Sequence, residues 1–189
     1  MSALLLSTGL VALAEIGDKT QLLALVLAAR FRRPWPIVAG ILVATLLNHT
    51  LAAAAGSWLQ SLVDPAILRW GLAASFLAMA AWTLVPDKLD GDEAVPRSSH
   101  GVFMTTVVAF FLAEMGDKTQ LATVALAAQQ DSMLSVVAGT TLGMMLANVP
   151  VVLFGHRAAD RLPLAAVRRC AAALFLVLAV LALVHALGR

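Results

Sequence analysis

Glu15-Ile16-Gly17-Asp18-Lys19-Thr20-Gln21 lies in the middle of a long apolar run, and the chain repeats it as Glu114-Met115-Gly116-Asp117-Lys118-Thr119-Gln120. The offset is 99 residues, and 12 of the 19 positions from Val11 to Ala29 recur in Phe110 to Ala128 without a gap. Of the 11 carboxylates, only Glu15, Asp18, Glu114 and Asp117 fall inside strongly apolar segments. Ionisable groups at membrane depth are costly, so they mark candidate functional sites.

The same offset extends beyond the motif. It aligns Val38-Ala39-Gly40 with Val137-Ala138-Gly139, Arg69 with Arg168, and Phe76-Leu77 with Phe175-Leu176. The repeated unit is therefore a block of about three spans. A three-span block followed by its copy enters the membrane from the opposite side. This predicts inverted repeats about an axis in the membrane plane, an arrangement common among secondary transporters.

Composition agrees with a membrane setting. The 189 residues are 61% hydrophobic and 13% charged, with mean hydropathy +0.90, too apolar for a soluble domain of this length. Runs of about 20 apolar residues match a hydrocarbon core of about 30 Å. We expect an all-α polytopic membrane protein with six transmembrane helices: Ala3–Ala29, Ile37–Val63, Ala66–Val85, Gly101–Ala128, Met133–Phe154 and Leu164–Leu187. Residues 1–85 form the first three-helix repeat, 86–100 an acidic cytoplasmic linker, and 101–189 the second repeat. At 1.5 Å per residue the first span is about 40 Å long, so it must tilt, kink or break, with Gly17 the expected place. Pro150 should break the fifth span locally.

Cys170 is the lone cysteine, which excludes an internal disulfide framework and a cysteine metal cluster. The net charge of +2 is modest and the basic residues sit in loops, so they read as orientation signals rather than nucleic-acid contacts. The expected partners are the lipid bilayer and a divalent cation, with no nucleic acid; a homodimer stays open. Arg30, Arg32, Arg33, Lys88, Arg97, Arg157, Arg161, Arg168 and Arg169 fall on one side, against Arg69 and Arg189 on the other. The positive-inside rule then places both termini outside the cytoplasm. Trp35 and Trp82 belong near one interface, Trp58 and Trp70 near the other. The apolar start resembles a signal peptide but lacks a basic n-region, and its Leu13-Ala14 pattern recurs mid-chain at Leu112-Ala113, so cleavage is not expected.

On a continuous helix Glu15 and Asp18 share a face, with Lys19 on the same side. Glu114, Asp117 and Lys118 repeat this pattern. If the pseudo-twofold brings the motifs together, four carboxylates converge. At about 3 kcal/mol for each central Asp, four ionised groups cost on the order of 10 kcal/mol and demand neutralisation. Two lysines leave a formal charge of −2, which one divalent cation cancels. Carboxylate, hydroxyl and amide oxygens are hard donors that suit Ca²⁺, Mn²⁺ or Mg²⁺. Thr20, Thr119, Gln21 and Gln120 can add oxygens or hold the carboxylates, while Gly17 and Gly116 allow close helix approach or local unwinding. Protons and metal would compete for the same oxygens, which predicts exchange of one for the other. Salt bridges Glu15–Lys19 and Glu114–Lys118 that merely lock helices are the structural alternative.

The doubled Glu-x-Gly-Asp-Lys-Thr motif, one in each half, resembles the Gdt family of cation transporters. That family includes bacterial manganese exporters and eukaryotic members of the Golgi. The resemblance covers nearly the whole chain and implies Ca²⁺/Mn²⁺ transport against protons, with Glu15, Asp18, Glu114 and Asp117 essential. It implies no enzyme activity and no resident cofactor: Mn²⁺ or Ca²⁺ is cargo and H⁺ the coupling ion. The short chain is similar to bacterial members, so export of Mn²⁺ across the inner membrane is expected. The rivals are a Ca²⁺/H⁺ antiporter, a non-transporting scaffold and an intramembrane metalloenzyme, the last usually needing His ligands.

Among secondary positions, Asn48 lies beside His49, which aligns with Asn148. An interhelical hydrogen bond is expected there, with a gate or supporting role at the site as the alternative. Gly139 and Gly143 have small-xxx-small spacing suited to internal packing. His156 and His185 read as interfacial.

Overall fold

The computed structural model describes residues 3–85, 101–130, 132–155 and 164–188. The acidic segment 86–100, Asp131, His156, Arg157, Arg161 and Arg189 lie outside the described residues, and so do the linker reading and part of the charge count. The described residues contain eight α-helices and no strand: α1 Ala3–Glu15, α2 Lys19–Phe31, α3 Pro34–Leu62, α4 Pro65–Thr83, α5 Gly101–Glu114, α6 Lys118–Gln129, α7 Met133–Phe154 and α8 Leu164–Leu187.

Helices α3, α4, α7 and α8 are long and apolar enough to cross a bilayer. The first and fourth expected spans are each a pair of short helices. Both breaks fall at the motif glycine, where Gly17 has φ 82° and Gly116 φ 76°. A side chain at such φ costs roughly 1–2 kcal/mol, so glycine is the residue that lets the chain turn there. Asp18 and Asp117 follow in extended conformation and start α2 and α6. The expectation of close helix approach at Gly116 is corrected: a Cβ there would meet nothing within 4 Å. Its left-handed backbone, not lack of room, demands glycine.

Close approach occurs elsewhere. A Cβ on Gly40 would lie 2.7 Å from the Thr106 Cβ and 2.9 Å from the Phe103 carbonyl oxygen. A Cβ on Gly139 would lie 2.6 Å from the Leu4 carbonyl oxygen and 2.8 Å from the Ser7 Cβ. Each contact is the other shifted by 99 residues. Thus α3 of one half seats α5 of the other, and α7 of the second seats α1 of the first. Gly143 continues the second crossing against Thr8 and Ala12, so the small-residue stripe packs internally.

Around these crossings α3 also packs on α6 and α7, and α2 packs on α7. Helices α4 and α8 lie against each other, with Phe76 and Phe175, again 99 residues apart, fully buried in one apolar cluster. Leucines and valines on the outward faces are exposed, as a lipid-facing surface requires. Trp35 and Trp58 are exposed toward opposite ends of α3, and Trp70 and Trp82 toward opposite ends of α4. Pro150 lies inside α7, and the helix runs on past it to Phe154, so the proline does not end the span. Only the proline's own donor is lost, four residues from the C-terminal end.

Candidate metal centre

The carboxylates that flank each helix break are buried, although Met115 and Gly116 of the second break are themselves exposed. Glu15 ends α1 and Glu114 ends α5, each fully buried. Asp18 and Asp117 stand at the N-caps of α2 and α6, yet neither side chain makes a capping hydrogen bond. Each carboxylate instead reaches a lysine of the other half. Lys118 Nζ ion-pairs with Asp18 Oδ1, both buried, and Lys19 Nζ lies 3.9 Å from Asp117 Oδ1. The expected alternatives Glu15–Lys19 and Glu114–Lys118 are thereby corrected to crosswise Asp–Lys pairs. The reason is the break: with the helix interrupted at glycine, residues four apart no longer share a face.

One carboxylate oxygen from each of Glu15, Glu114 and Asp117 falls within 4.8 Å of the others, all three residues buried. Oxygens on opposite sides of an ion bound at about 2.3–2.6 Å lie about 5 Å apart, so this spacing fits one hard cation. The set combines two halves and two kinds of helix end. Asp18 is outside this trio and is held by Lys118.

The surrounding bonds are unequal. Glu15 accepts from Thr20 Oγ1 at 2.5 Å and from Thr119 Oγ1, so threonines of both motifs serve one glutamate. Neither oxygen of Glu114 has a hydrogen-bond partner among the described residues. A fully buried carboxylate without donors is costly, and a cation is the partner that would offset the cost. With two lysines against four acidic groups, the formal charge of −2 matches one dication.

The glutamines serve the breaks. Gln21 Oε1 accepts from Gly17 N at 2.9 Å, and Gln120 Oε1 accepts from Gly116 N at 2.7 Å. Each satisfies an amide that the interrupted helix leaves without an intrahelical acceptor. Their amide groups then anchor outward: Gln21 Nε2 donates to the Ala147 carbonyl at 3.0 Å, and Gln120 Nε2 to Asn48 Oδ1 at 2.5 Å. Asn48 and Ala147 are 99 residues apart. The chain uses a side-chain oxygen in one half and a backbone oxygen in the other, a contact that residue types alone do not reveal but the repeat offset could have found. Asn48 also donates to the Phe111 carbonyl at 3.2 Å.

Asn148 does not mirror Asn48. Its Nδ2 donates to the carbonyl oxygen and sulfur of Met144 in its own helix, so no hydrogen bond from that amide reaches the motif. His49 is fully buried and neither ring nitrogen has a hydrogen-bond partner among the described residues, so the expected interhelical bond is made by the adjacent Asn48 and not by His49. Its nitrogens also lie outside the acidic cluster.

Against known proteins, the family model described as divalent cation/proton antiporter GDT1 matches residues 3–91 and 102–189. A protein of Vibrio cholerae serotype O1 named "Putative manganese exporter" is 56% identical over 180 residues, covering 95% of this chain and 89% of that one. A GDT1-like protein of Synechocystis is 28% identical over 174 residues, with 81% and 82% covered. A GDT1-like protein 4 of Oryza sativa subsp. indica is 25% identical over 195 residues, with 90% and 69% covered. No solved structure matches the chain.

Proposed function

Since the chain belongs to the GDT1 family of divalent cation/proton antiporters, we propose that it exports Mn²⁺ from the bacterial cytoplasm in exchange for protons, as the name of the Vibrio relative suggests. The observation that carries this reading is the approach of Glu15, Glu114 and Asp117 oxygens to within 4.8 Å inside a membrane-spanning helical body. These three bind the ion. Asp18, the fourth acidic group, joins them by release from Lys118. Thr20, Thr119, Gln21, Gln120 and Asn48 hold the ligands, while Gly17 and Gly116 create the breaks.

Six spans form two inverted three-helix repeats: α1 with α2, α3 and α4, then α5 with α6, α7 and α8. The crosswise lysines and the reciprocal Gly40 and Gly139 contacts support that symmetry. Both termini lie outside the cytoplasm, on the loop-charge asymmetry. Cargo and proton neutralise the same oxygens, and an empty, fully ionised site would be too costly to reorient across lipid. This links the two ions. Oxygen donors accept Ca²⁺ as well, so preference between the two ions is decided by competition.

Tracer Mn²⁺ uptake into inverted membrane vesicles tests the proposal. Uptake should rise when the lumen is acidified and collapse with a protonophore. Uptake no greater than in vesicles lacking the protein would reject transport. Loss of Mn²⁺ uptake to an equal concentration of Ca²⁺ would replace the manganese reading by a calcium one.

A further inference from the structure

Away from the acidic centre, a cavity of about 580 Å³ opens where α4 begins and α8 ends. That size falls in the range of about 300–1,000 Å³ typical of small-molecule sites. Its inner wall is apolar, built from Leu68 and Leu72 of α4 and Leu178 of α8. Its rim carries Arg69, His185 and the side-chain amides of Gln60, Gln129 and Gln130. No carboxylate lines it among the described residues.

The depth of this cavity is marked by its neighbours. Trp70 follows Arg69 in sequence, and Trp58 precedes Gln60 by two residues; both indoles are exposed. Exposed tryptophans mark the headgroup level of a bilayer. The polar rim is thus at headgroup depth and the apolar wall at acyl depth. Arg69 Nε donates to the Pro65 carbonyl at 3.0 Å, which fixes the guanidinium. Its Nη groups have no partner among the described residues and remain available as a donor fork. A planar fork beside an imidazole and amides suits a phosphate, and charge-assisted bonds of this kind are the strong ones. A cation would be repelled by the same guanidinium.

We propose that this cavity binds one anionic phospholipid from the leaflet at the Arg69 end, its phosphate on Arg69 and His185 and an acyl chain along Leu68, Leu72 and Leu178. The lipid wedges between the ends of α4 and α8, a packed pair with one helix from each half.

Native mass spectrometry on the full chain, extracted from nanodiscs of mixed phosphatidylglycerol and phosphatidylethanolamine, reads this directly. The wild type should retain phosphatidylglycerol in preference to phosphatidylethanolamine. Arg69→Gln should lower that preference about fivefold, the factor for one basic side chain near an anionic headgroup, and Arg69→Lys should keep part of it. Leu181→Trp, which fills the cavity from a largely exposed lining position, should lower retention of both lipids. Equal retention of the two lipids by the wild type, or an unchanged preference in Arg69→Gln, would overturn the proposal. So would loss of Mn²⁺ flux in Leu181→Trp with unaltered lipid retention, since the cavity would then be a path for the cation. Lipid retention is read without transport, so its failure leaves the export reading standing.

Discussion

Thr119 and Glu15 illustrate how the site is shared. The hydroxyl of one motif orients the carboxylate of the other. Partners that orient ligands typically matter by 10- to 100-fold in metal affinity or activity. Thr119→Val should therefore weaken Mn²⁺ transport by roughly one to two orders of magnitude while the protein folds normally; flux at wild-type level would place Glu15 outside the site. The glycines make a sharper contrast. Gly116→Ala has room for its methyl but must hold φ near 76°, costing about 1–2 kcal/mol. Gly71 lies inside α4 with nothing within 4 Å of a Cβ. There Gly71→Ala should stabilise by about 0.5–1 kcal/mol. Thermal denaturation in detergent should move in opposite directions for the two variants. The motif's chemistry was legible in the residues because four carboxylates in apolar runs are rare. Their partners were not, because a lysine four positions away looks close only on an unbroken helix.

At the scale of elements, the seat of α5 on α3 depends on Gly40, and that of α1 on α7 on Gly139. Without a strong hydrophobic drive between helices in lipid, such packing needs backbones to approach closely. Gly40→Ala and Gly139→Ala should each destabilise by about 1–3 kcal/mol, the cost of overpacking a close contact. Both should lower the folded yield seen by fluorescence-detected size exclusion. A wild-type elution profile and melting temperature for either variant would contradict the crossing geometry. The sequence aligned these glycines across the halves, yet alignment named only their equivalence. What each one touches depends on which helix lies alongside.

For the molecule as a whole, two interlocked halves share one buried charge network. Removing one partner of a buried pair costs about 3–5 kcal/mol, because the other charge is left stranded. Asp18→Asn should therefore take from buried Lys118 its Asp18 ion pair and deplete folded protein, while Asp18→Asn with Lys118→Gln should recover the yield but not the Mn²⁺ flux. A double variant as depleted as the single would deny the crosswise pair its structural role. On the proposed mechanism protons and metal compete for the same oxygens, so lowering the pH should reduce apparent Mn²⁺ affinity. Protonated carboxylates offer no anionic ligand, so the sign is fixed: affinity rises as protons leave. Mn²⁺ titrations at two pH values check it, and an affinity indifferent to pH would remove the competition.

The amino-acid sequence by itself determined the membrane setting, the repeat, the extents of the long helices and the acidic motifs. Those features follow from local properties: apolar run length, the 99-residue offset and the cost of charge in lipid. Only the tertiary structure decided that three of the four carboxylates converge, that Asp18 belongs to Lys118, that both threonines serve Glu15, and that Asn148 turns back to its own helix. The physical reason is the helix break at Gly17 and Gly116. Once the backbone turns there, helical spacing no longer dictates which side chains meet, and the choice passes to the packing of one half against the other.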